Sequence, residues 1–185
     1  MIRNNSILNR KTTALLVIDI QEKILPVIRN TEQFLGNSKK LIEACKVMKV
    51  PIYLTEQYPK GLGSTTNFLM PYLSDAIKVE KSTFSCFGAP GLFNALKETG
   101  ITQLILTGIE SHVCVQQTAL DLIANGFSVS LAADACSSRK EIDYNIALSR
   151  MRHHGVDIST TEAIIFELLE KSGTEEFKQV SKLVK

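Results

Sequence analysis

Short apolar runs alternate with helix-period segments along this chain. Residues 14–20 (ALLVIDI) form a nearly continuous apolar run of strand length, as do residues 51–54 (PIYL), 103–107 (QLILT) and 127–133 (FSVSLAA). Residues 76–79 (AIKV) are a weaker version, and residues 156–158 (VDI) predict a short last strand. Runs without in–out alternation suit strands buried on both faces, which points to a parallel sheet.

The segments between these runs carry helix period. In residues 112–126, Val115, Thr118, Ala119, Leu122 and Ile123 fall at i, i+3, i+4, i+7 and i+8, and Gly126 follows as a stop. Leu41, Ala44, Cys45 and Met48 make a similar stripe before Val50-Pro51, and Leu92, Ala95 and Leu96 make one before Gly100. Residues 146–151 and 163–169 predict further helices, and the basic tail 178–185 reads as a solvated helix end. With no repeat or linker in sight, 185 residues suit a single domain spanning 1–185. Strands alternating with helices predict an α/β fold: a three-layer, Rossmann-like α/β/α sandwich with right-handed crossovers.

Composition narrows the function classes. A formal net charge of +2, with Lys and Arg scattered, argues for no nucleic-acid partner and no membrane-surface partner. No apolar run approaches the roughly 20 residues that a membrane span needs. The start, MIRNNSILNRK, is too polar for a secretory signal. Cys45, Cys86, Cys114 and Cys136 are therefore expected to be free thiols of a cytoplasmic protein. None forms a CxxC pair and none lies near His153-His154, so no metal and no other cofactor is expected.

In parallel α/β sheets, ligands bind outside the carboxyl ends of the strands. Three chemically active residues fall at such ends: Asp19 near the end of the first run, Lys81 after AIKVE, and Cys114, which opens a helix after QLILTG. A helix N-terminus and an ammonium both lower a cysteine pKa, so Cys114 is expected to hold more thiolate than a free thiol. A carboxylate within reach can carry the thiol proton to a leaving group. Taken singly, each residue has a plainer reading: a turn cap, a surface lysine, a buried inert thiol.

At these residues the sequence resembles the isochorismatase-like cysteine hydrolase family, which includes nicotinamidases and N-carbamoylsarcosine amidase. The likeness runs from about Thr12 to Glu167 through LLVIDIQ, EKSTFSCF and LTGIESHVCVQQTALDLIANGFSVSLAADAC. It implies a six-stranded, mostly parallel sheet and a triad of Asp19, Lys81 and Cys114. In that scheme Cys114 is the nucleophile, Asp19 the proton carrier, and Lys81 the cation that favours the thiolate. It also implies a non-proline cis peptide joining Ile109 and Glu110, with the N–H groups of Glu110 and Cys114 receiving the oxyanion. Nicotinamidases carry an Asp-x-His metal motif after the second strand; here that region reads LTEQYPKGLGST, without histidine. Isochorismatases proper generally lack the cysteine, so Cys114 argues against isochorismate itself. The likeness points instead to the short, metal-free, isochorismatase domain-containing branch.

The implied activity is hydrolysis of a C–N bond in a small amide or carbamoyl substrate. A vinyl ether or thioester hydrolase and a non-catalytic scaffold of the same fold stay open. Gln21, Tyr58, Phe84, Phe87 and His112 are candidate substrate contacts: Gln21 as a neighbour of Asp19 on a continuing strand, the three aromatics as loop walls, His112 beside the cysteine. The partners expected are a small-molecule substrate and further copies of the chain, in a dimer or tetramer. The homo-oligomer rests on the resemblance alone.

Overall fold

The computed structural model describes residues 4–185. Its six strands are β1 (Thr13–Ile18), β2 (Ile52–Gln57), β3 (Ile77–Lys81), β4 (Gln103–Ile109), β5 (Ser128–Ser137) and β6 (Asp157–Ser159). They form one sheet in the order β3-β2-β1-β4-β5-β6, with every pairing parallel. The helices are α1 (Thr31–Val47), α2 (Pro59–Leu62), α3 (Leu92–Glu98), α4 (Gln116–Ala124), α5 (Glu141–His153), α6 (Thr161–Leu169) and α7 (Glu175–Val184).

Side-chain alternation along each strand divides the core into two layers. Leu15 and Val17 of β1, with Ile105 and Ile109 of β4, pack against α1, α6 and α7. Ala14, Leu16 and Ile18, with Leu104 and Leu106, pack against α3, α4 and α5. The fold is the expected three-layer α/β arrangement.

Several boundaries differ from the hydrophobic pattern. β1 stops at Ile18, because Asp19 takes a φ of 53° and turns the chain. β2 runs three residues past the apolar run, through Thr55, Glu56 and Gln57, all buried and all hydrogen-bonded. β5 continues to Ser137 although Asp134 interrupts its apolar face. The Asp134 carboxylate accepts from the Thr161 N–H at 2.7 Å and so caps α6. The tail is not merely solvated: α7 buries Val180, with Phe177 and Leu183 packed against the same core.

Candidate active site

The first and fourth strands meet tightly at their carboxyl ends. Ile18 pairs with Gly108, after a register shift between β4 and β5 at Leu106/Gly108. Gly108 has φ 134°, and a Cβ there would strike the Ile18 carbonyl. Only glycine tolerates both conditions. This closeness sets Asp19 beside the segment that follows β4.

Asp19 is nearly buried, and each carboxylate oxygen has a donor. The Thr55 hydroxyl donates to Oδ1 at 2.8 Å, and Lys81 Nζ donates to Oδ2 at 2.6 Å. Lys81 ends β3 and reaches past β2 to do so, its side chain fully buried. Its ammonium also faces Gln57 Oε1 at 2.9 Å, the Phe84 carbonyl at 3.0 Å and the Thr83 carbonyl at 3.2 Å. Removing one partner of such a buried pair costs about 3–5 kcal/mol, because the other charge is stranded.

After β4 the Ile109–Glu110 peptide bond is cis, at the place the resemblance assigns to it. A π-helical turn, Ser111–Val115, then leads into α4. The Val113 and Val115 N–H groups both donate to the Glu110 carbonyl, at 3.0 and 3.2 Å. Cys114 rides on this turn with 7% of its surface exposed, inside the layer beneath α3–α5. It is therefore part of the packed layer. Burial pushes its thiol pKa up, the Asp19 charge and an Asp19 hydrogen bond push it further, and Lys81 offsets only part. This corrects the expectation of a ready-made thiolate. Burial and the Asp19 charge together outweigh the ammonium, so the resting sulfur is held toward its protonated form.

The π-helical turn is tied to the end of β5. The Ser111 hydroxyl donates to the Ser137 carbonyl at 2.9 Å, and His112 Nδ1 lies 3.1 Å from Ser138 Oγ. His112 Nε2 lies 3.9 Å from the Asp143 carboxylate. Arg139 Nε donates to Glu110 Oε1 at 2.9 Å. The His112 ring is thus occupied by side chains of the fold.

Gln21 needs a second correction. The strand ends before it, and the residue is fully buried. Its Nε2 donates to the Gln57 and Gly63 carbonyls, at 3.0 and 2.6 Å, and its Oε1 accepts the Gln57 N–H at 2.7 Å. Its amide holds β2 and the following loop together, with both N–H donors committed and no surface exposed to a substrate. The aromatics are placed differently. Tyr58 lines a cleft of about 370 Å³ beside Lys81 with Pro59, Gly88 and Pro90. Phe84 is 56% exposed, while Phe87 is 45% exposed and leans on Phe93 at 4.7 Å between ring centroids. Among the described residues, no three His, Cys, Asp or Glu side chains are grouped to hold a metal ion.

Sequence reasoning missed Thr55, Gln57 and Arg139. The rule that found Asp19 and Lys81, polar residues at carboxyl ends of strands, also applies to the TEQ that closes β2. Applied there, it would have found the first two. Nothing in the local pattern marks Arg139 as a partner of Glu110, 29 residues before it.

The profile of the isochorismatase domain matches residues 13–163. The isochorismatase domain-containing protein 2 of Danio rerio is 38% identical over 179 residues, covering 96% of this chain and 89% of that protein. A Caenorhabditis elegans structure described as MAR1 ribonuclease superposes with a TM-score of 0.91 at 38% identity, over 96% of this chain and 91% of that one. The Escherichia coli YcaC gene product, described as an octameric hydrolase of unknown specificity, superposes with a TM-score of 0.90 at 25% identity, over 98% and 92%.

Proposed function

The chain belongs to the isochorismatase family of hydrolases, and from that premise we propose that it cleaves a C–N bond of a small amide or carbamoyl substrate with Cys114 as nucleophile. The observation that carries this reading is the buried Lys81–Asp19 pair, 2.6 Å apart, whose two opposite charges both act on the Cys114 thiol. As the sulfur attacks the carbonyl carbon, its proton passes to Asp19. The thiolate exists only in that step, and Lys81 stabilises the charge distribution around it. The oxyanion rests on the N–H groups of Glu110 and Cys114. Asp19 then gives its proton to the leaving amine, whose C–N bond breaks to leave an acyl-enzyme. Water attacks the acyl carbon, Asp19 takes the water proton, and sulfur departs and is reprotonated.

Tyr58, Phe84 and Phe87 supply exposed aromatic surface at the same end of the sheet and suit a substrate with an apolar part. Small amides, ureas, vinyl ethers, thioesters and RNA, assayed with wild type and Cys114→Ala, test the reading. RNA belongs in that panel because one structural neighbour is described as a ribonuclease. Turnover confined to amides or ureas and lost in Cys114→Ala, with an acyl adduct on Cys114 by mass spectrometry, is expected. Equal turnover by Cys114→Ala sinks it.

The octameric neighbour and two exposed apolar side chains one turn apart on α5, Ile142 and Ile146, support self-association. Light scattering should then give a molar mass at least twice 20.5 kDa; a monomer at micromolar concentration would exclude it.

A further inference from the structure

Arg139 has no part in the chemistry above, yet it holds the residue that supplies one oxyanion donor. It lies two residues past β5, and its side chain is 56% exposed, while the Glu110 side chain is only 7% exposed. The contact is double: Arg139 Nε donates to Glu110 Oε1 at 2.9 Å and the Arg139 N–H approaches the same oxygen at 3.4 Å. A buried carboxylate without a cation is costly, so the arginine is what allows a glutamate at this position.

Glu110 is pinned twice. Its carbonyl accepts the Val113 and Val115 N–H groups, and its carboxylate is held by Arg139. With both ends of the residue fixed, little freedom remains for its own N–H. There is also a charge argument. An unpaired carboxylate on the residue that must receive an oxyanion would oppose that oxyanion, and the guanidinium cancels it.

We propose that Arg139 is a positioning residue for hydrolysis: by pairing with the Glu110 carboxylate it fixes and neutralises the residue whose N–H receives the oxyanion. The proposal rests on the nucleophile and oxyanion reading of the preceding section. Ser111 and His112, held by Ser137 and Ser138, tie the next two residues of the same turn to the same segment. Arg139 is the member of this set that carries charge to the turn.

Two reactions of Cys114 separate the roles. Hydrolysis of p-nitrophenyl acetate passes through an oxyanion; alkylation by iodoacetamide does not. Arg139→Ala should lower kcat for the ester by about tenfold to a hundredfold, with KM and the Cys114 alkylation rate within about twofold of wild type. Arg139→Lys, which keeps the charge but not the planar fork, should fall between the two. Glu110→Ala is the second variant should Arg139→Ala not fold: it removes the side chain that Arg139 grips, and it should likewise lower ester kcat while sparing alkylation. Wild-type ester kcat in the arginine variants, or alkylation and hydrolysis lost in equal measure, overturns the positioning role. Wild-type ester turnover by Cys114→Ala overturns the nucleophile reading itself, and this proposal with it.

Discussion

Lys81 has three N–H donors and four oxygens around it, so its ammonium is fully committed before any substrate arrives. The consequence falls on Cys114. Burial is the main reason its thiol holds its proton, and Asp19 is the next. Asp19→Asn should therefore have opposite effects on two reactions. Without the carboxylate charge, Lys81 is free to favour the thiolate, and iodoacetamide should alkylate Cys114 faster at neutral pH, by up to about tenfold for each unit the thiol pKa falls. Amide turnover should drop by on the order of a hundredfold or more, because the proton carrier is gone. Thiol-specific mass spectrometry and a turnover assay on one preparation check both. Slower alkylation in the variant would show that Asp19 does not restrain the thiol. At this scale Asp19, Lys81 and Cys114 were legible in the sequence because reactive residue types stood at strand ends. The protonation state was not, because it depends on which charge Lys81 meets first.

Among the elements, β1 and β4 decide the site. Their carboxyl ends approach closely only because Gly108 has no side chain to meet the Ile18 carbonyl. Gly108→Ala should cost about 3 kcal/mol or more, from the clash and from a φ of 134° that alanine disfavours. Chemical denaturation measures this, and a wild-type midpoint would mean that the two strands can part without loss. The same elements show where pattern reading stops. Apolar runs located every strand, strongly for β1 and β4, which are buried on both faces, and weakly for the exposed edge strands β3 and β6. The runs ended β2 and β5 early, because Thr55, Glu56 and Gln57 are polar yet buried, and the half-buried Asp134 is polar with its partner on α6; each is satisfied by a group outside its own strand. The turn at Asp19 was hidden for the opposite reason: Ile20 continues the apolar run and is buried, although the strand has already ended.

For the molecule as a whole, all four thiols are buried and free. Burial pushes Cys45 and Cys136 up to about 12 and Cys86 to about 11, from an ordinary 9.0. Above pH 9 the unfolded chain loses these protons while the folded one keeps them. The unfolded state then binds fewer protons, and stability falls as pH rises. Denaturation midpoints should be level between about pH 7 and 8 and should decline from about pH 9 toward 11–12, by up to about 1.4 kcal/mol per thiol per pH unit. A flat profile across that range would contradict the burial of these thiols. The layered architecture was readable from alternating periods alone, whereas the strand order that sets β1 against β4 is a property of the closed sheet. That order has a further meaning. The chain lays β1, β2 and β3 to one side, passes the exposed turn at Gly100, and lays β4, β5 and β6 to the other. A break at Gly100 therefore yields an acid–amine fragment with Asp19 and Lys81 and a thiol fragment with Cys114. On the proposed mechanism neither fragment holds all three groups, and α1 of the first packs on α6 and α7 of the second, so activity that returns only when the two halves meet is what a split reporter of protein association requires.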